Sequence, residues 1–284
     1  MKLQGIFIDT TTPFDHNGAV YKVKVQHNLE KWNRTAVAGY VICGPAGEGV
    51  LLSSDERSAL WDMAAQYAAP EKLLIAGAIA EGVQETVSLA NRAAELGLKA
   101  ALVEAPRYYP DFQRTDTQLL YFRTVADRAR IPVIAAGIAP GLVAPLSQHP
   151  NIIAACVNTP DAGPLLRGAR LEFQILAASA RNLWPALQSG ACGAILGFAA
   201  AAPYAAIVIW EAHRTREEEA GADWQQRITR AAEIIDECYG VPGLKHAMEL
   251  NAYYGGPPRL ALAVPSLAAR GEIEQAFLEL RTDR

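Results

Sequence analysis

The sequence has no Cys-x-x-Cys pair, no His-x-x-x-His or His-Glu-x-x-His spacing, and no glycine-rich loop of the P-loop or Rossmann type. Cys43, Cys156, Cys192 and Cys238 lie far apart, so reduced, mostly buried thiols are expected rather than a zinc knuckle or a redox pair. His16, His27, His149, His213 and His246 fall on no ligand spacing, so neither a metal nor a cofactor is expected. The net charge of -4 gives no basic excess and argues against a nucleic-acid partner. No apolar run reaches the ~18 residues that a membrane span needs. The N-terminus lacks the apolar stretch and small-residue cleavage site of a signal peptide, so a cytoplasmic protein is expected.

What is present is a rhythm. Eight short apolar runs recur along the first 200 residues: Gly5–Ile8, Gly39–Ile42, Leu73–Ala78, Ala100–Val103, Pro132–Ala135, Ile152–Ala155, Phe173–Leu176 and Gly193–Leu196. Helical spacing separates nearly all of them, as over Val20–Thr35, Glu85–Leu96 and Thr115–Ala129. Ser53 and Glu56 form a capping box before a helix through Ala69. Strands alternating with helices imply a parallel sheet with crossovers, and eight units of this length suit a closed barrel. The remainder reads as three or four helices, including Trp224–Cys238 and Pro242–Asn251. The expected architecture is α/β: a (β/α)8 TIM barrel over residues 1–202, with a C-terminal helical extension over 203–284 packed on it.

Several segments, in order, resemble the dihydrodipicolinate synthase and N-acetylneuraminate lyase family. They are the opening GIFIDTTTPF, CGPAGE at 43–48, LSSDER at 52–57, APRYY at 105–109, GACGAI at 190–195 and GLKHAMEL at 243–250 followed by GGPPR. The resemblance spans nearly the whole chain. It implies a TIM barrel with C-terminal helices, carbon–carbon lyase or synthase chemistry on pyruvate-like 2-oxo acids, and assembly as a homodimer or homotetramer.

In that family a lysine at the end of the sixth strand attacks a ketone and forms an imine, which acts as an electron sink. The resemblance puts Cys156 there, and a shift of one residue reaches only Ala155 or Val157. None of the seven lysines follows a barrel strand at its C-terminal end, and Lys245 is expected at the surface of the C-terminal helices. The family's proton-shuttling tyrosine corresponds to Ala136, and its threonine pair to Pro45 and Ala46. The N–H groups of Ala46 and Gly47 remain available to face an anion.

The remaining pocket candidates each carry two readings. Asp9 and Glu104, ending strands one and four, are either acid–base or cation-binding groups at the barrel mouth or capping and ion-pair groups at its rim. Glu48 is expected to satisfy nearby backbone N–H groups. Tyr108 belongs to the pocket or to a subunit contact. Cys156 is a nucleophile only where a base lowers its pKa, and otherwise an inert thiol. Asn158 completes the set just past strand six. The run Ala199–Ala202 is expected to form a small-residue wall on the catalytic face. The sequence therefore points to a diverged family member without conventional Schiff-base activity, which binds a small organic acid or carbonyl compound. The alternative is a non-catalytic barrel serving as a ligand-binding or partner subunit.

Overall fold

The computed structural model describes residues 1–281. Eight parallel strands close into a barrel in sequence order: β1 (Gly5–Asp9), β2 (Gly39–Ile42), β3 (Leu73–Gly77), β4 (Ala100–Glu104), β5 (Val133–Ala136), β6 (Ile152–Val157), β7 (Gln174–Ala177) and β8 (Gly193–Leu196). The ring shuts where Gly5 to Ile8 pair with Gly193 to Leu196. Crossover helices α1 (Lys22–Asn33), α2 (Ser54–Tyr67), α3 (Val83–Glu95), α4 (Thr115–Arg128), α5 (Val143–Ser147), α6 (Gly163–Arg167) and α7 (Leu183–Gln188) surround it. The Ser53–Glu56 capping box is formed in both directions, which fixes the start of α2. Helix α5 has no counterpart in the sequence expectations. It is only five residues long, too short for a 3.6-residue period to register.

Alternation along each strand divides the core in two. Phe7, Val41, Ile75, Leu102, Ile134 and Leu176 fill the barrel interior. Their strand neighbours, such as Ile6, Ile8, Ala101 and Val103, pack outward against the helices. The same alternation turns Asp9, Glu104, Ala136 and Cys156 inward at the C-terminal ends of β1, β4, β5 and β6. The register pairs Glu104 with Ala136, and Ala136 with Cys156.

After β8 the chain is helical: α8 (Phe198–Ala201), α9 (Pro203–Thr215), α10 (Glu218–Glu233), α11 (Gly240–Leu250) and α12 (Leu267–Ala276). Ala199–Ala202 do not form a catalytic wall. They are buried beneath the extension, where Trp32 Nε1 donates to the Ala200 carbonyl at 3.2 Å and Asn251 Nδ2 to that of Ala201 at 2.9 Å. The expected Trp224–Cys238 helix is also changed. Its last turn, Ile234–Tyr239, is wound as a π-helix.

Lys245 is not a surface residue. It is 1% exposed, because α11 presents Leu244, Lys245, Ala247 and Met248 to the barrel. Its ammonium lies 2.5 Å from Glu48 Oε1 and donates to the carbonyls of Thr12 at 2.9 Å and Pro257 at 3.0 Å. Burial draws its pKa down, and the Glu48 carboxylate opposes that shift. Glu48 also accepts the Arg259 N–H at 2.8 Å, so the expectation that it serves backbone donors is met in part. The Arg259 guanidinium continues the clamp to Glu56 and to the Gly18 carbonyl, each at 2.6 Å. Removing one partner of such a pair strands the other charge in the interior. Lys245→Met is therefore expected to lower the unfolding free energy by about 3–5 kcal/mol, with the Glu48→Gln/Lys245→Met double variant recovering a large part. Urea titrations of the three proteins measure both effects.

Candidate active site

The strand ends and the π-helical turn enclose a cavity of about 500 Å³. Leu102 and Ile195 form its apolar floor, and Ala46, Ala136 and Ala178 its small-residue sides. Three carboxylates line it: Asp9 from β1, Glu104 from β4 and Asp236 from the π turn. Among the described residues no lysine does. Lys245 follows Leu244 at the cavity edge but is turned away to Glu48, Thr12 and Pro257.

Asp9 is 5% exposed. Its Oδ2 accepts the Ala46 N–H at 2.8 Å, while Oδ1 is buried without a protein partner. Burial pushes its pKa from the ordinary 3.8 to about 7; the Ala46 hydrogen bond works against that, and the Glu104 charge adds to it. Gly44 makes room for the carboxylate, since a Cβ there would stand 2.2 Å from Oδ1. The loop is tightly wound, with Cys43 and Glu48 both at positive φ, a conformation that costs on the order of 1 kcal/mol or more at each non-glycine residue.

Glu104 is also raised by burial, with Arg107 pulling the other way. Arg107 Nη2 lies 3.4 Å from Glu104 Oε2 at the rim, with the Arg107 side chain 62% exposed. The guanidinium lies over Gly137, whose φ of +63° and missing side chain leave it space. Asp236 is raised by burial, against a 2.6 Å hydrogen bond from the Ser179 hydroxyl. Cys156 is buried, and burial together with the Asp9 and Glu104 charges drives its thiol far above the ordinary value. Its nearest acceptor is the Ala177 carbonyl at 3.9 Å, so it is a neutral thiol rather than an activated nucleophile.

Of the sequence candidates, Asp9, Pro45, Ala46, Glu104, Ala136, Cys156 and Asn158 line this cavity. Gly47 and Tyr108 do not. The Gly47 N–H donates to the Gly44 carbonyl at 3.1 Å, and the Ala46 N–H is taken by Asp9. The loop therefore offers neither amide to an incoming anion, because the chain's own carboxylate already sits on one of them. Tyr108 is 77% exposed outside the cavity, in edge-to-face contact with Tyr109. Asp236 has no counterpart among the sequence candidates. It lies in a stretch that reads as an ordinary helix, and only the π turn brings it to the mouth, as such turns often do at functional sites.

The sequence profile of the dihydrodipicolinate synthetase family matches residues 2–277. The chain belongs to that family. A probable mitochondrial 4-hydroxy-2-oxoglutarate aldolase of Emericella nidulans is 31% identical over 97% of this chain and 94% of its own length. A 4-hydroxy-tetrahydrodipicolinate synthase of Exiguobacterium is 26% identical over 96% of each. The solved 4-hydroxy-tetrahydrodipicolinate synthase of Methylacidiphilum fumariolicum superimposes with a TM-score of 0.91 over 98% of this chain and 96% of that one, at 20% identity, which shares the fold. This dihydrodipicolinate synthetase-family chain is thus an aldolase- and lyase-type barrel whose mouth is lined by carboxylates.

A carboxylate whose folded pKa lies above its unfolded one favours the folded state when protonated. Its contribution is complete below the unfolded value and lost as pH rises through the folded one. Wild-type stability is therefore expected to fall between about pH 4 and pH 7, with Glu104 and Asp236 acting in the same direction. Asp9→Asn, which mimics the protonated form and keeps the oxygen facing Ala46, should flatten much of that slope. It should raise stability at about pH 8 by roughly 2–4 kcal/mol. Chemical denaturation across this range measures it.

Proposed function

We propose that this protein is an enzyme of diverged chemistry within its family, acting on a small carbonyl compound by carboxylate acid–base catalysis without an imine intermediate. The observation that carries this reading is Asp9: a carboxyl group that lines the cavity, is buried at the barrel mouth and is held by the Ala46 N–H, with burial pushing its pKa up to about 7. Such a group both takes and gives a proton at physiological pH, which typically supplies ~10²–10⁴-fold to a proton transfer. Glu104 on the neighbouring wall offers a second carboxylate. Separated acid and base roles arise when neighbouring carboxylates influence each other's ionisation. The open, charged cavity favours this reading over the non-catalytic barrel.

The assignment of Cys156 to the imine-forming position and of Ala136 to the proton-shuttling position follows the order of motifs in the sequence. A thiol adds only reversibly to a ketone, and its hemithioketal draws no electrons from the adjoining bond. Pyruvate with borohydride is therefore expected to leave no adduct, as read by intact-mass spectrometry. Cys156→Lys should give weak trapping with little turnover, since the tyrosine and threonine relay is not restored. One reduced pyruvate on any lysine of the wild-type barrel mouth would reinstate the ordinary lyase.

We also propose a cytoplasmic homodimer or homotetramer. Tyr108 and Tyr109, 77% and 59% exposed, are packed edge-to-face at 5.1 Å, an amphipathic aromatic surface suited to a symmetric contact. Multi-angle light scattering should show an assembly that Tyr108→Ala/Tyr109→Ala weakens. A wild-type monomer at micromolar concentration would contradict it.

A further inference from the structure

The interior and the rim of the cavity differ in what they offer a ligand. We infer that Arg107 is a specificity-determining residue: at the rim it binds a carboxylate that the substrate carries away from its carbonyl, with Asn158 as a neutral donor beside it. The substrate class is then an oxo acid with its two functional groups separated, which enters carbonyl first. This inference rests on the carbonyl chemistry proposed above and adds the orientation of the molecule in that same site.

The interior is unsuited to an anion. Asp9, Glu104 and Asp236 line it together with apolar side chains, and among the described residues neither lysine nor arginine does. The loop after β2 keeps its amides for itself. Ala46 N donates to Asp9 at 2.8 Å, Gly47 N and Gly49 N to the Gly44 carbonyl, and Glu48 N to that of Pro45. Lys245 is engaged with Glu48, and Arg181 is held by Glu233 and Glu237. A carboxylate drawn inside sheds its hydration and meets no cation in return.

Arg107 is placed differently. Its backbone is pinned, since its own N–H and that of Tyr108 donate to Glu81 Oε2 at 2.8 and 2.9 Å. Its guanidinium is held loosely. Nη2 reaches Glu104 Oε2 at 3.4 Å, long for a charge-assisted hydrogen bond, and among the described residues that carboxylate is its one partner. The guanidinium lies over Gly137, where a Cβ would stand 2.8 Å from Nη2. Gly137 lines the cavity, so the missing side chain lets the cation reach the mouth across the end of β5. Its planar fork presents paired N–H donors to a carboxylate.

Asn158 stands on the other side of β5. Ala136 pairs with Cys156, so Asn158, two residues further on, is at the neighbouring strand end, and it lines the cavity with Gly137 and Ile138. Its Oδ1 accepts from Asn182 Nδ2 at 2.9 Å, which leaves its own Nδ2 as the donor for a ligand. One guanidinium and one amide match a singly charged carboxylate, whereas a phosphate dianion keeps charge unmatched beside Glu104. Glu104 competes with the incoming carboxylate, because both draw on the same guanidinium.

The test compares levulinate, whose ketone and carboxylate are separated by methylenes, with its uncharged counterpart 2-pentanone and with pyruvate, in which the two groups adjoin. Binding to the full-length protein is followed by saturation-transfer NMR and calorimetry. Levulinate is expected to bind about tenfold more tightly than either. Arg107→Met should erase its advantage over 2-pentanone while leaving 2-pentanone binding unchanged, and Arg107→Lys should keep part of it. Glu104→Gln, which removes the competing charge, should tighten levulinate and not 2-pentanone. Asn158→Ala should weaken levulinate less than Arg107→Met does. Levulinate binding no tighter than 2-pentanone or pyruvate overturns the inference, as does the absence of saturable levulinate binding or an advantage that survives Arg107→Met. Borohydride trapping separates the two readings. A pyruvate-labelled lysine defeats the proposed chemistry, whereas an unlabelled protein that gains nothing from the levulinate carboxylate defeats only the assignment of Arg107.

Discussion

The ion pair between Lys245 and Glu48 holds the C-terminal helices onto the barrel. Glu48 sits at positive φ at the end of the loop after β2, and Lys245 projects from the buried face of α11. Each ammonium donor has a specific acceptor: a carboxylate from that loop, the Thr12 carbonyl after β1 and the Pro257 carbonyl beyond α11. A charge taken out of water tolerates little displacement, since no solvent waits to replace a lost partner. The pair therefore fixes three segments together, and the Arg259 clamp on Glu56 and Gly18 locks the tail over the same region.

From this anchor the mouth follows. Helix α11 is placed by Lys245, and the π turn directly before it carries Asp236 to the cavity. The loop held by Glu48 is the one whose Ala46 N–H grips Asp9. The clamp thus bears on Asp236 and on the loop that grips Asp9 without lining the cavity itself. The backbones of Asp9 and Glu104 are fixed by strand pairing, with Val41 and with Ala136.

The electrostatic character of the mouth is a consequence of crowding. Asp9, Glu104 and Asp236 each have a pKa raised chiefly by burial, and the Glu104 charge raises Asp9 further. The same environment suppresses ionisation of the Cys156 thiol. Cysteine at the end of β6 and the carboxylates around it therefore share one environment: burial first, and the acidic neighbours after it, keep the thiol protonated.

The sequence by itself determined the barrel. Eight apolar runs at regular intervals, the Ser53–Glu56 capping box and the ordered motifs specify a (β/α)8 chain, because strand period and helix period are local properties. It also placed Asp9, Glu104 and Cys156 at the mouth, as the residues that end apolar runs, and Ala136 through the resemblance of its segment to the family's fifth strand. Tertiary structure decided the rest. Lys245 reads as a surface lysine because its partners, Thr12 and Glu48, lie some 200 residues away in the chain. Gly47 reads as an anion-facing donor because nothing local reveals that its N–H closes on Gly44. Asp236 is hidden within an ordinary helical pattern, and only the π turn brings it to the cavity. Burial and pairing across the chain create the charge of a site, and no local pattern encodes them.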